Sequence, residues 1–275
     1  MSLDLDRRTL LAFSALATAG SGVPVSAEDA RTEHIARMAE LPPDAPLVAM
    51  LIHPRMVALD LVGPLTVFTI LRCRMFLVWK DKAPVSTDIG LPLTATHTFG
   101  ECPSDLDVLM VPGGILGSVD CMNDTAVMSF LAERGSRAKW VTSVCTGGLT
   151  LAAAGLLTGY DATAHWAVAD LLPLMGARHI DKRVVIDRNR MTGGGVTAGI
   201  NLALTLADRL RGEEAARAVQ LTMEYAPEPP LRNGTPAEAG PERVAAARAS
   251  RAWMDGQARL AAEAAGKRLG IRLSG

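Results

Sequence analysis

Three things are scarce in this 275-residue chain, and each scarcity removes a class of function. Positive charge has no excess, since 28 Lys and Arg stand against 29 Asp and Glu for a net charge of −1. Without a basic stripe to neutralise phosphates, nucleic acid is not expected as a partner. Cysteine is sparse: Cys73, Cys102, Cys121 and Cys145 contain no CxxC pair and no Cys/His metal spacing, so no metal site is expected. A bridge among the first three stays open, because an oxidising compartment would permit one. Long apolar runs are also missing, and no stretch reaches membrane-spanning length.

The N-terminus has a distinct pattern. Arg7-Arg8 precedes an apolar run over Thr9–Ala19, and Val25-Ser26-Ala27 is a small-x-small cleavage pattern. Residues 1–27 read as a twin-arginine export signal, with a frayed helix as the alternative. Cleavage would start the mature chain at Glu28 and place it in the periplasm; without it the chain would stay cytoplasmic. Removing Arg7 and Arg8 with Asp4 and Asp6 leaves the net charge unchanged. Residues 28–45, ending in Pro42, Pro43 and Pro46 nearby, read as a flexible leader.

The remainder fits one large domain, residues 46–226, followed by an irregular connection and C-terminal helix over 227–275. Leu47–Ile52 and Asp107–Val111 are continuous apolar runs of the kind buried on both faces of a parallel sheet. Met75–Trp79 is another strand. Val85–Asp88 and Leu93–His97 suggest a hairpin-like excursion, and Val184–Asp187 with Arg190–Thr192 an antiparallel pair. Helices are expected over Leu61–Ile70 with Pro64 in its first turn, Thr125–Arg137 capped by Asn123 or Asp124, His165–Met175, Thr197–Leu210, Glu213–Tyr225 and Glu242–Leu269. Strands alternating with helices predict an α/β sandwich around a mostly parallel sheet.

The chain is organised around Lys139–Trp166. The apolar strand Trp140–Val144 stops at Cys145, and Thr146-Gly147-Gly148 opens an Ala/Leu-rich helix. A strand turning sharply into a helix with a nucleophile at the corner is a nucleophile elbow. The corner lifts the thiol above the sheet, and the helix N-terminus is expected to lower its pKa. The alternative is that Cys145 is a small core hydrophobe.

Asp60, Gly113-Gly114, Cys145 and Gly193–Gly195 all fall at strand ends, where ligands bind in such sheets. That convergence favours Cys145 as nucleophile. Asp60 is then the acid/base candidate, with a helix N-cap as its other reading. Thr146 offers a hydroxyl and a backbone N–H, or merely a cap. The amides of Gly113, Gly114 and the Gly193 run are candidate pocket donors, or plain turns. A thiol hydrolase would pair its Cys with His. None of His34, His53, His97, His165 and His179 lies beside Cys145 in sequence, and His165 reads as a structural hydrogen-bond donor. Cys-plus-carboxylate chemistry is therefore expected.

The segments LDLVGPLTVF, VPGG, FGECP, SVCTGGLTLAAAGLLTGYDATAHW, RMTGGGVTAGINLALTLA and EYAPEPP together resemble the ThiJ/PfpI superfamily, and within it the isocyanide hydratases. The VCTG elbow alone is also shared with sensor-like domains of transcription regulators. The resemblance implies a flavodoxin-like three-layer sandwich, a homodimer and a cofactor-free site. It implies that Cys145 attacks the terminal carbon of an isocyanide to give a thioimidate, which water converts to an N-substituted formamide. Asp60 then matches the acidic residue that handles the water or proton, Thr146 the residue after the nucleophile, and Gly194, Gly195 and Val196 the loop bordering the site. Other readings on this fold are a non-catalytic sensor domain, or another thiol-dependent hydrolase or glyoxalase-like activity. An export signal departs from the cytoplasmic setting that the resemblance suggests.

Overall fold

The computed structural model describes residues 28, 31–32 and 40–272. The chain divides into Met1–Pro42 and Pro43–Gly275, and the second unit holds the sheet and its helices. In the first, Thr32 donates its hydroxyl to the Glu28 carbonyl at 2.8 Å, one helical turn back. The expected export signal, residues 1–27, lies outside the described residues.

Seven strands form the central sheet, in the order Val184–Asp187, Arg190–Gly193, Trp140–Val144, Val108–Val111, Leu47–Leu51, Arg74–Trp79 and His97–Thr98 from one edge to the other. These are β1 (Leu47–Leu51), β2 (Arg74–Trp79), β5 (His97–Thr98), β6 (Val108–Val111), β7 (Trp140–Val144), β10 (Val184–Asp187) and β11 (Arg190–Gly193). Every pairing is parallel except β10 with β11. All four residues of β6 are buried, which is why its sequence is unbroken by polar residues. Helices flank the sheet. α1 (Ala58–Ile70), α5 (Ala198–Arg211) and α6 (Glu213–Thr222) pack together in one layer. α2 (Ile115–Asn123), α3 (Thr125–Arg137), α4 (Gly147–Ala153), a 3₁₀ helix (Ala169–Met175) and α7 (Pro236–Arg268) form another. The flavodoxin-like α/β sandwich expected from the sequence is the observed fold.

Local differences have local causes. α1 starts at Ala58, so Pro64 lies inside the helix rather than in its first turn. Proline there removes a backbone bond, and the site is held by packing. A Cβ on Gly199 of α5 would stand 3.1 Å from Pro64 Cγ, so glycine lets the two helices close. The expected helix over His165–Met175 is confined to the 3₁₀ segment, which contains Pro173. The excursion resolves into a hairpin of β3 (Val85–Ser86) with β4 (Pro92–Leu93), while His97–Thr98 leaves it to join the sheet edge beside β2. Asp161–Ala162 (β8) pairs with Arg178–His179 (β9) in a small separate sheet. Asp124 caps α3 as expected, accepting the N–H groups of Ala126 and Val127.

The C-terminal helix α7 packs against α2 and the 3₁₀ helix, burying Ala258, Ala261, Ala262 and Ala265. The approach is close: a Cβ on Gly266 would meet the Leu174 carbonyl oxygen at 2.1 Å. All four cysteines are buried and free. No described helix is long and apolar enough to cross a membrane.

Candidate active site

The elbow is present in the backbone. β7 ends at Val144, and Cys145 follows with φ 58°, a left-handed conformation that a residue with a Cβ adopts at a cost. Three bonds enforce it. The Cys145 N–H lies against the carbonyls of Gly193 (3.1 Å) and Gly194 (2.7 Å), and its own carbonyl accepts the His165 N–H at 3.2 Å. α4 then starts at Gly147, where a Cβ would stand 2.2 Å from the Val111 carbonyl oxygen. The thiol thus sits over the ends of β6, β7 and β11, with only 5 % of the residue exposed.

Asp60 reaches the same point from α1. It is not the helix cap: that position is Val57, and Asp88 Oδ1 accepts the first helical N–H, from Ala58, at 2.9 Å. Asp60 is therefore free to turn inward, where Oδ2 accepts the Gly113 N–H at 2.9 Å. Its Oδ1 is buried with no hydrogen-bond partner of ordinary geometry among the described residues. The Cys145 thiol lies beside the carboxyl, close enough for each to shift the other's titration. A Cβ on Gly113 would stand 2.8 Å from both Asp60 Oδ2 and Cys145 Cβ, so glycine is what lets the three meet.

Thr146 holds the next layer. Its Oγ1 accepts the Gly114 N–H at 2.8 Å and shares a 2.8 Å hydrogen bond with Ser118, and it makes no capping bond to α4. Its backbone N–H points at the Cys145 sulfur and favours the thiolate. The expectation that Gly113, Gly114 and Gly194 offer free amide donors is corrected here. Their N–H groups are committed to Asp60, to Thr146 and to the Arg183 carbonyl respectively. Gly194 and Gly193 instead present carbonyls, and these hold the cysteine backbone. Gly195 and Val196 are half-buried, their carbonyls accepting the N–H groups of Ala198 and Gly199.

Burial dominates the electrostatics. It pushes the Asp60 carboxyl up to about 7, against the opposing pull of the Gly113 N–H and the thiol. It also pushes the Cys145 thiol up, and the Asp60 charge adds to that; the Thr146 N–H and the Arg251 charge pull the other way. The expected lowering by the helix N-terminus is thus outweighed. At neutral pH the pair rests as a protonated thiol beside a carboxyl close to its midpoint.

His165 is structural through its backbone, as the bond to Cys145 shows. Its ring Nδ1 accepts the Ala167 N–H at 3.3 Å, and burial lowers its pKa to about 4. His53 and Ser118 join the site without a motif of their own. His53 is fully buried, with Nδ1 3.1 Å from the Pro54 carbonyl and Nε2 3.4 Å from that of Pro112, bracing the loop that carries Gly113. Its position directly after the first strand was the only available sign. Among the described residues, no three His, Cys, Asp or Glu gather as metal ligands.

Known proteins place this geometry in context. The family model for the DJ-1/PfpI family matches residues 47–209. Over 190 residues the chain is 50% identical to an isonitrile hydratase of Pseudomonas putida, covering 69% of this chain and 82% of that one. It is 30% identical over 149 residues to the HTH-type transcriptional regulator GbdR of Pseudomonas aeruginosa, spanning 53% of this chain but only 39% of the regulator. The crystal structure of a ThiJ/PfpI family protein from Pseudomonas syringae superposes with a TM-score of 0.78 at 39% identity, covering 90% of this chain and 99% of that one. With the elbow, its sheet and these matches in agreement, the chain belongs to the DJ-1/PfpI family.

Proposed function

We propose that this protein hydrates isocyanides to N-substituted formamides, with Cys145 as nucleophile and Asp60 as the proton carrier. The observation that carries the reading is the Asp60–Cys145 contact, in which a buried carboxyl near 7 is the acid/base group beside the thiol. The 50% identity to an isonitrile hydratase supports it.

The chemistry follows from that pair. As Sγ bonds to the terminal carbon of R–NC, the thiol proton passes to the Asp60 carboxylate and from there to the same carbon. The result is the thioimidate R–N=CH–S on Cys145, and the S–H bond has been spent on one C–S and one C–H bond. Asp60, again a carboxylate, then takes a proton from water as its oxygen adds to the carbon. Asp60 delivers that proton to nitrogen, and as the C–S bond breaks the departing sulfur takes the proton of the hydroxyl just formed on carbon, leaving the carbonyl. R–NC plus water has become R–NH–CHO, and the enzyme is unchanged. A carboxyl near its midpoint suits both directions of transfer, and a buried site lets a neutral, linear group reach sulfur without competition from bulk water.

We further read the catalytic body as a homodimer that acts after export, on the strength of the family resemblance and the Arg7-Arg8 segment.

Intact-mass analysis after rapid quenching with an alkyl isocyanide tests the covalent step. The wild-type chain should gain the mass of one isocyanide and lose it with time, while C145A gains none. A wild-type chain that turns over isocyanide without ever carrying the adduct would contradict the nucleophilic role.

A further inference from the structure

The C-terminal helix α7 has two faces of opposite character. One buries Ala258, Ala261, Ala262 and Ala265 against the domain. The other looks outward and carries two large apolar side chains in the open, Trp253 at 67 % exposure and Leu260 at 61 %. Two seven-residue series run along this outward face after the kink at Gly240: Ala246, Trp253, Leu260 and Lys267, and Glu242, Ala249, Gly256 and Glu263. All eight residues are exposed. Positions spaced alternately three and four apart lie on one stripe, and a stripe that repeats every seven residues is the seam along which a helix packs on another helix.

Gly256 points the same way. Glycine inside a helix is costly relative to alanine, so its presence needs a reason. At Gly266 the reason is internal, because a Cβ there would meet the Leu174 carbonyl oxygen at 2.1 Å. At Gly256 the backbone is helical and a Cβ would meet nothing within 4 Å. Nothing among the described residues fills the dent that the missing side chain leaves beside the exposed Trp253. The two ends of the stripe carry opposite charges, Glu242 and Lys267, and neither has an ion-pair partner among the described residues.

We propose that this face pairs with the same face of a second copy of the chain, the two helices antiparallel about a two-fold axis, with Trp253 seated over Gly256 of the partner subunit. In that register each layer sets large against small. Leu260 meets the partner's Ala249, and Ala246 meets the stem of the partner's Glu263. At each end Lys267 faces the partner's Glu242, so both ends close with opposite charges. The contact is self-complementary, as a two-fold interface must be, and it runs for about 38 Å along the helix. A parallel pair would instead set Glu242, Glu263 and Lys267 each against its own copy and leave both glycine dents empty, so the residues select the antiparallel arrangement. A buried tryptophan at the centre of the contact is the side chain best suited to carry it. None of this depends on the isocyanide reading, since the face lies on the opposite side of α7 from the domain and outside residues 46–226.

Analytical ultracentrifugation of the full chain tests the pairing. W253E should halve the mass of the assembly, to a monomer, or to the body dimer if that forms by its own contact. The charge exchanges test the register. E242K and K267E each put like charges into both end layers and should raise the dissociation constant by about tenfold. Together, E242K/K267E restores opposite charges and should recover wild-type association. The two positions lie about 38 Å apart on one helix, so such rescue can arise only between chains. Melting curves should match the wild type throughout, because none of these side chains touches the buried face. A W253E chain with the wild-type mass overturns the pairing. Single exchanges that associate as tightly as wild type, or a double exchange as weak as the single ones, overturn the antiparallel register.

Discussion

Asp60 Oδ2 accepts the Gly113 N–H at 2.9 Å, a bond between residues 53 positions apart. It ties the helix after the first strand to the loop after β6, and it turns the carboxylate toward Cys145 instead of toward its own helix N-terminus. Without the Gly113 N–H only the thiol would oppose burial at the carboxylate, and its pKa would climb further.

Asp60→Asn keeps the shape and loses the proton carrier. Formamide production should fall roughly a hundredfold or more, the scale of a lost acid/base group. The same change has a second signature. Removing the carboxylate charge relieves one of the causes that hold the thiol up, so alkylation of Cys145 should begin at lower pH than in the wild type. Unchanged turnover together with an unchanged alkylation profile would remove Asp60 from the mechanism.

Stability should depend on pH through the same carboxyl. Asp60 is raised from 3.8 to about 7 in the folded chain. Between those values the native state holds a proton that the unfolded state has released, so this contribution is complete below 3.8 and is lost as pH rises through 7. A shift of that size corresponds to as much as about 4 kcal/mol. His53 and His165, both lowered by burial, act in the opposite sense, contributing above 6.5 and losing that contribution on acidification. The difference between D60N and wild type isolates the carboxyl. In urea unfolding, D60N should gain stability relative to wild type on going from pH 5 to pH 8. A difference that stays flat across that range contradicts the assigned shift.

Thr146→Val should damage the site without touching the thiol. It leaves the Gly114 N–H without its acceptor and the Ser118 hydroxyl without its partner, both buried. A cost of about 1–3 kcal/mol in unfolding free energy is expected for such orphaned groups, with a fall in turnover. Thr146→Ser keeps the oxygen and should recover most of both. A serine variant as impaired as the valine one would place the role of Thr146 in its methyl group.

Much of this was legible in the sequence because it is local. A strand that stops at Cys145 and a Gly-Gly that opens the next helix are adjacent residues, and their pattern alone predicts the corner. The capping Asp124 sits one residue before its helix. What could not be read is who answers whom across the chain. Whether Asp60 caps its helix depended on Asp88, 28 positions on, taking that task. Whether Gly113 and Gly114 offer amides depended on Asp60 and Thr146 claiming them. The direction of the thiol's shift was also beyond pattern reading, since it is a contest between a helix end and burial that only the packed structure decides.

The most direct test of the central claim is formamide release from a panel of alkyl and aryl isocyanides, followed for wild type and C145A side by side. Wild-type chain should convert members of the panel to the matching formamides with water as the oxygen source, and C145A should fall to the uncatalysed rate. No formamide from any isocyanide at a pH where the protein is folded, or equal rates from C145A, would contradict it.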